Sequence, residues 1–256
     1  MTSKSKAAPQ PFNNAGPDQE DPASFRPIAL TATLRMATKL EREGAGRAPG
    51  AEPTSRERIL DAAEALFGID GPDVVSLRDI SAQSGAATGL IHYHFPAKES
   101  LLEAVVARRA AIVSEIRRAE LARLGDTPSI PALLDAFVRP LVELAAGPDQ
   151  GWASYCRLIC LIASSDARGA LIAKHLDATA QLSVAALKRA APGADDADVL
   201  YGFGFTVILM ANTVVKNQRV QTMSDGRLPA ADITGVYRRM MEYCVAGVNA
   251  LIAAKA

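Results

Sequence analysis

The chain is poor in the residues that most often carry chemistry. Its 256 residues include three cysteines, three histidines and one tryptophan, and aromatic residues make up only 5%. Cys156, Cys160 and Cys244 are odd in number and lack the paired spacing of zinc ligands. They read as small buried thiols in a reducing compartment, with no disulfide framework and no metal or other cofactor expected. Lys and Arg together number 28, as do Asp and Glu, so the overall charge points to no polyanion, membrane surface or acidic substrate. Long apolar runs are also missing. The longest window, Leu200 to Val215, is interrupted by Asn212 and falls short of the roughly 20 residues that a spanning helix needs. The first residues are polar and proline-rich instead of basic and then apolar, so no secretory leader is expected. A cytoplasmic protein without membrane contact is the expectation. Strand-like alternation of apolar and polar residues is absent too, and no segment repeats. These absences leave an all-α fold.

What is present is helical periodicity cut by turn residues. Residues 1–53 form an arm expected to be disordered or weakly helical: residues 1–27 have little to bury, and Ile28–Glu43 could make a short helix before "GAGRAPGAEP" breaks it. Order begins at Thr54, where "TSRE" reads as a capping box. Ile59, Ala62, Ala63, Leu66 and Phe67 then recur at helical spacing. Ser76 and Asp79 repeat the cap signature and open a second, short helix. Gly85 supplies a left-handed stop, and a third short helix follows, ending near His94. Beyond it the pattern predicts helices over 98–124, 130–146, 152–164, 168–191, 195–223 and 233–254, separated by turn sequences such as "GDTPS" and "APGAD".

Two of the three histidines sit in "SGAATGLIHYHFPAKESLL", one on each side of Tyr93. On a helix of 3.6 residues per turn, His92 and His94 point about 200° apart, which makes them a poor chelating pair. No serine or cysteine nucleophile pairs with either, so no catalytic residue is assigned. A capped short helix, a glycine turn and a second short helix behind a packing helix form a helix-turn-helix. "RILDAAEALF" followed by "SLRDISAQSGAATGLIHYHFPAKESLL" resembles the amino-terminal domain of the TetR family of transcriptional regulators, almost without a gap from Arg56 to Leu102. The resemblance implies double-stranded DNA as a partner. By position, Ala87, Thr88 and Leu90 would face bases, and His92 and Tyr93 would meet the backbone or neighbouring bases. Lys98 would meet a phosphate, and Ser76 and Arg78 would add a phosphate contact and a base contact. The chain departs from the family at His92 and Tyr93, where tyrosine and then histidine are usual, and at Ala97, where a capping serine is usual. Acidic residues outnumber basic ones in this segment and are expected to face away from the groove.

Residues 54–111 are therefore read as an amino-terminal three-helix helix-turn-helix domain, and 112–256 as a helical ligand-binding and dimerisation domain. A helix-turn-helix regulator needs two copies to span a palindromic operator. The stripes Leu200, Phe203, Val207, Met210, Val214 and Val236, Met240, Tyr243, Val248, Leu251 are the expected homodimer faces. Polar and aromatic residues among apolar ones mark an effector pocket: Trp152, Tyr155, Arg157, Tyr201, Phe205 and Asn212. Arg157 could pair with Glu143 or Asp166, or could hold an acidic head group. His175 is read as a surface or interhelix residue. The reading is a repressor released from its operator by a small, largely apolar effector. The alternative is a regulator of the same fold with no small-molecule response, or one controlled by a protein partner.

Overall fold

A computed structural model describes residues 30–45 and 52–253, and among the described residues every regular element is a helix, with no strand. In chain order the helices are α1 (Leu30–Ala45), α2 (Ser55–Asp70), α3 (Leu77–Ser84), α4 (Thr88–His94), α5 (Lys98–Ala122), α6 (Ile130–Ala146) and α7 (Gln150–Ala163). A 3₁₀ turn, Asp166–Arg168, leads into α8 (Gly169–Ala190), then α9 (Asp196–Val214), α10 (Arg219–Met223) and α11 (Ile233–Ala253). The disorder expected for residues 1–27 lies outside the described residues.

Local chemistry sets the starts and stops. Thr54 and Glu57 close a reciprocal box on α2: the Thr54 N–H donates to Glu57 Oε2 at 2.7 Å, and the Glu57 N–H donates to Thr54 Oγ1 at 3.2 Å. Gly85, with φ 67° and ψ 12°, ends α3 in the left-handed region where a Cβ would be strained. The single helix expected over 195–223 is two helices. After α9, Lys216 turns left-handed at φ 54°, its N–H bonding the Thr213 carbonyl while the Asn217 N–H reaches back to Asn212. That pair of bonds is a Schellman-type stop made without glycine, which is why the sequence pattern hides it.

Two apolar cores lie along α5. Leu101, Leu102, Val105 and Val106 pack with Ile59, Phe67, Ile80 and Ile91 of the first helices, joined by Leu158 and Ile162 of α7. One turn on, Ile112, Val113 and Ile116 pack with Phe137, Val142, Trp152, Phe203 and Met241. α1 is built into this second core, with Ala37 buried and Leu34, Met36 and Leu40 packed against it. Its Thr33 hydroxyl donates to the buried Glu143 carboxylate, and its Glu41 pairs with Arg109 at 2.8 Å. The arm's described helix is therefore a docked element.

α9 corrects one expectation. At 19 residues it is long and apolar enough, by length and composition alone, to cross a membrane. In the structure Phe203, Met210 and Val214 are buried in the core and α9 packs along α11, while Tyr201, Phe205 and Ile208 stay exposed, so one side of its apolar surface is covered by the chain itself and the other is not.

Candidate nucleic-acid interface

The short helix α4 is fixed to the body from one side only. Ile91 is fully buried and Phe95, directly after the helix, is 3% exposed, while Tyr93 is 81% exposed. His92 is exposed beside it, and Ala87 at the helix start is exposed as well. Thr88 and Leu90 are half-buried, and Leu90 leans on the apolar core. His94 is half-buried, its ring edge-on to Tyr93 at 5.2 Å and tilted against Phe95 at 6.2 Å. His94 therefore serves in packing. His92 and Tyr93 are left pointing at solvent.

Ser76 caps α3, and its groups are already engaged. Its hydroxyl donates to Asp79 Oδ2 at 2.7 Å and accepts from the Asp79 N–H at 3.3 Å, while its own N–H donates to Asp79 Oδ2 at 2.8 Å. Hydrogen bonds from the Ser76 hydroxyl and then from its backbone hold the Asp79 carboxyl below the usual range. Arg78, next along α3, is exposed. Lys98 opens α5 and donates to the Val75 carbonyl at 3.2 Å, which places its ammonium beside the α3 cap. Ala97 offers no capping oxygen, and Ser100 compensates: its hydroxyl accepts from the Ala97 N–H at 3.2 Å. Sequence reasoning missed Arg56, whose guanidinium lies 5.2 Å from the Phe95 ring centroid and so adds positive charge at the end of α4.

Much of the acidic excess of this segment is tied up. Glu64 is 2% exposed and binds both Arg108 and Arg109. Asp61 pairs with Arg108 at 2.6 Å, and Asp73 with Arg168 across the α2–α3 loop. The Arg168 guanidinium lowers the Asp73 pKa, and Glu103 is lowered chiefly by Lys174. Most of the carboxylates that outnumber the basic residues are thus paired or capping, while Asp70 and Glu99 stay exposed. The charge left around α4 is weighted to Arg56, Arg78 and Lys98.

The residues expected to line an effector pocket do not converge. Trp152 and Tyr155 are both 1% exposed in the core, their rings edge-on at 5.8 Å. Tyr201 and Phe205 stack at 6.1 Å on the outside of α9, 64% and 54% exposed, and Asn212 is exposed on the same helix. Arg157 is half-buried and faces α2, donating to the Gly68 carbonyl and to Ser154 Oγ, each at 3.2 Å. Glu143, one carboxylate expected to pair with it, is held by Arg139 and Thr33 instead. The side chain of Asp166, the other, lies outside what the structure describes. Arg157 thus caps the end of a helix in the reading head, and Tyr201, Phe205 and Asn212 leave the pocket assignment. A cleft of about 520 Å³ opens elsewhere, between Leu121, Leu133, Leu182 and Arg189 at the meeting of α5, α6 and α8.

Residues 59–105 match the family described as bacterial regulatory proteins, tetR family, and residues 135–247 match the tetracyclin repressor-like carboxy-terminal domain. A curated HTH-type transcriptional repressor of Mycobacterium tuberculosis is 45% identical over 58 residues, 21% of this chain and 31% of the relative. The regulator BetI of Rhizobium meliloti is 35% identical over 57 residues, 22% of this chain and 28% of the relative. The chain thus spans about a third of the length of the curated relatives it matches. Among solved structures, the fatty acid degradation regulator FadR of Bacillus halodurans superposes with a TM-score of 0.54 at 17% identity, over 77% of this chain and 97% of that one. SmeT, the efflux-pump repressor of Stenotrophomonas maltophilia, gives 0.51 at 21% identity, over 76% of this chain and 90% of that one. These likenesses carry the fold, and the two family matches together cover most of the described residues: the protein belongs to the TetR family of helix-turn-helix regulators, non-enzymatic transcription factors that bind DNA.

Proposed function

We propose that the protein is a homodimeric transcriptional repressor that holds a palindromic operator and releases it when a small molecule enters the carboxy-terminal helices. The carrying observation is the bare face of α4: a tyrosine 81% exposed with a histidine beside it, on a helix whose opposite side is anchored by a fully buried isoleucine. Surface stability gives no reason to leave such residues in solvent. A DNA groove does. Tyr93, His92, Thr88 and Ala87 read the site, while Lys98, Arg78 and Arg56 hold phosphates. Ser76 contributes through the cap that fixes α3, since its hydroxyl and N–H are already spent on Asp79. Such a protein works where the chromosome is.

The link between reader and sensor is the contact of α2 with α7. Arg157 on the Gly68 carbonyl and Arg168 on Asp73 tie the reading head to α7 and the turn that follows it. A ligand that tilts α7 would change the spacing of the two heads, coupling effector to operator.

The test is operator binding by the full chain to a site selected from random duplexes. Tyr93→Ala should lose sequence preference while staying folded. Lys98→Ala should weaken all sites alike and reduce the slope of log K against log salt by about 0.9, the value for one phosphate contact. If the full chain selects no sequence, the reading fails. If Lys98→Ala leaves the slope unchanged, its phosphate assignment fails.

A further inference from the structure

One arginine in the carboxy-terminal core has no charged counterpart. Arg117 on α5 is 3% exposed, and among the described residues no carboxylate pairs with it. Its Nε donates to the Phe137 carbonyl at 2.8 Å, a terminal nitrogen points at Met210 Sδ at 3.5 Å, and its Cζ lies 3.6 Å from the Phe137 ring centroid. A guanidinium carries five N–H donors, so a carbonyl, a thioether and a ring face leave much of its demand unmet. Burial lowers its pKa to about 10, so it stays charged at neutral pH. The other buried arginines differ: Arg109 has Glu64, Glu41 and Asp149, and Arg139 has Asp135 and Glu120.

Two hydroxyls are stranded in the same core. The Tyr155 hydroxyl and Ser114 Oγ are both buried without a hydrogen-bond partner. Ser114 precedes Arg117 by three residues and shares its face of α5. Tyr155, on α7, lies in the same core cluster as Phe137 and Met210, the two residues that Arg117 touches. An orphaned buried hydroxyl costs stability, and an unpaired buried cation costs more. Such costs gathered in one place mark a site that is completed by something else.

We propose that Arg117, Tyr155 and Ser114 form the head-group site of the effector pocket, and that the effector is a small carboxylate with an apolar body. A carboxylate presents two oxygens to the guanidinium fork, and the two hydroxyls can donate to its remaining lone pairs. A phosphate would bring a second negative charge that no other buried cation nearby is free to meet. Phe137, Phe203, Met210 and Cys156 surround the body with apolar surface. The cleft at α5, α6 and α8 opens one helical turn away: its lining residue Leu121 lies one turn beyond Arg117 and Leu133 one turn before Phe137, and a ligand entering there must part these helices to reach the three residues, which do not line it. Tyr155 is on α7, the helix that carries the reading head, so occupancy acts where the heads are held. This inference rests on the reading of the chain as an effector-controlled regulator.

The experiment is calorimetric titration of the full-length protein with acetate, benzoate, octanoate and decanoate, with benzamide and octanamide as uncharged controls. At least one carboxylate should bind saturably, and its amide should bind at least about tenfold more weakly, as expected for a lost hydrogen bond to a charged group. Arg117→Met should stay folded, gain thermal stability because an unpaired buried charge is gone, and lose carboxylate binding. Tyr155→Phe, which removes only the orphaned hydroxyl, should weaken binding about tenfold without lowering Tm. Leu182→Trp at the cleft mouth should slow association. If no carboxylate binds, or if Arg117→Met binds as well as the wild type, the proposal is overturned. If Arg117→Met fails to fold, unchanged affinity in both Tyr155→Phe and Ser114→Ala overturns it equally. DNA selection run in parallel separates the two readings. A chain that selects an operator but ignores every carboxylate loses this site and keeps its function as a regulator. One that binds a carboxylate through Arg117 but selects no DNA does the reverse.

Discussion

Asp79 holds the start of α3 by accepting from both the hydroxyl and the N–H of Ser76, and its carboxyl is held below the usual range as a result. The sign of the pH dependence follows. A carboxyl with a depressed folded-state pKa contributes stability that is fully present above its unfolded value, near 3.8, and is lost as pH falls through its folded value. Amide exchange across α3 should therefore accelerate on acidification below that point. Asp79→Asn should show faster exchange at neutral pH, and its difference from the wild type should vanish in acid. If the difference persists at low pH, the charge of Asp79 is not what holds the cap. This kind of detail was legible in the sequence because it is local: Thr54 with Glu57, Ser76 with Asp79, and Gly85 each act within five residues. The identity of the buried arginine was not legible. Arg117 and Arg118 stand side by side, yet the first is buried under α6 and α9 while the second pairs with Glu115 at the surface. Composition made Arg157 the suspect because its neighbours are apolar. Burial is decided by what lies across the helix, and that is tertiary.

At the scale of elements, the contact between α2 and α7 is one that a single atom can test. A Cβ at Gly68 would sit 2.5 Å from the Ser154 carbonyl oxygen and 2.9 Å from its Cα. Both are backbone atoms within a helix, so neither can swing aside as a long side chain could. The pairing is reinforced nearby by Arg109, whose guanidinium lies 4.6 Å from the Trp152 ring centroid and joins Glu64 of α2 to Asp149, the cap of α7. Gly68→Ala must separate the two helices, whereas the same change at Gly89, where nothing lies within 4 Å, should be accepted. The expected outcome for Gly68→Ala is faster amide exchange in both helices and a weaker hold on a two-half-site operator. The carboxy-terminal core should remain folded. A variant that keeps wild-type operator affinity would show that this contact does not set the angle of the head. The sequence announced both helices but not this junction, since a glycine inside a helix pattern reads equally as a weak position or as a point of approach.

For the whole molecule, the question is which apolar surface a second copy covers. α9 is apolar on nearly every side, so its sequence offers two stripes and no means to choose between them. The structure chooses. Phe203, Met210 and Val214 face the protein's own core, while Tyr201, Phe205 and Ile208 stand outside at 64%, 54% and 58% exposure. On α11, Met240 and Val248 are buried, and Tyr243 is 71% exposed with Ala246, Gly247 and Ala250 on the same open side. The stripes expected as dimer faces are in large part monomer core. The residues assigned to a pocket, Tyr201 and Phe205, lie on the face that is free to pair. Two such faces from two chains would make a four-helix contact and set two reading heads roughly 34–36 Å apart, one turn of DNA. Phe205→Glu and Ile208→Glu put charge on exposed positions, so each should leave the monomer's stability within roughly 0.5 kcal/mol of the wild type. Light scattering should then show half the wild-type mass, and binding should fall to that of a single half-site. Met240→Glu, at a position 8% exposed, should instead unfold the chain and report nothing about pairing. A Phe205→Glu protein that remains a dimer at micromolar concentration would move the interface away from the outer faces of α9 and α11.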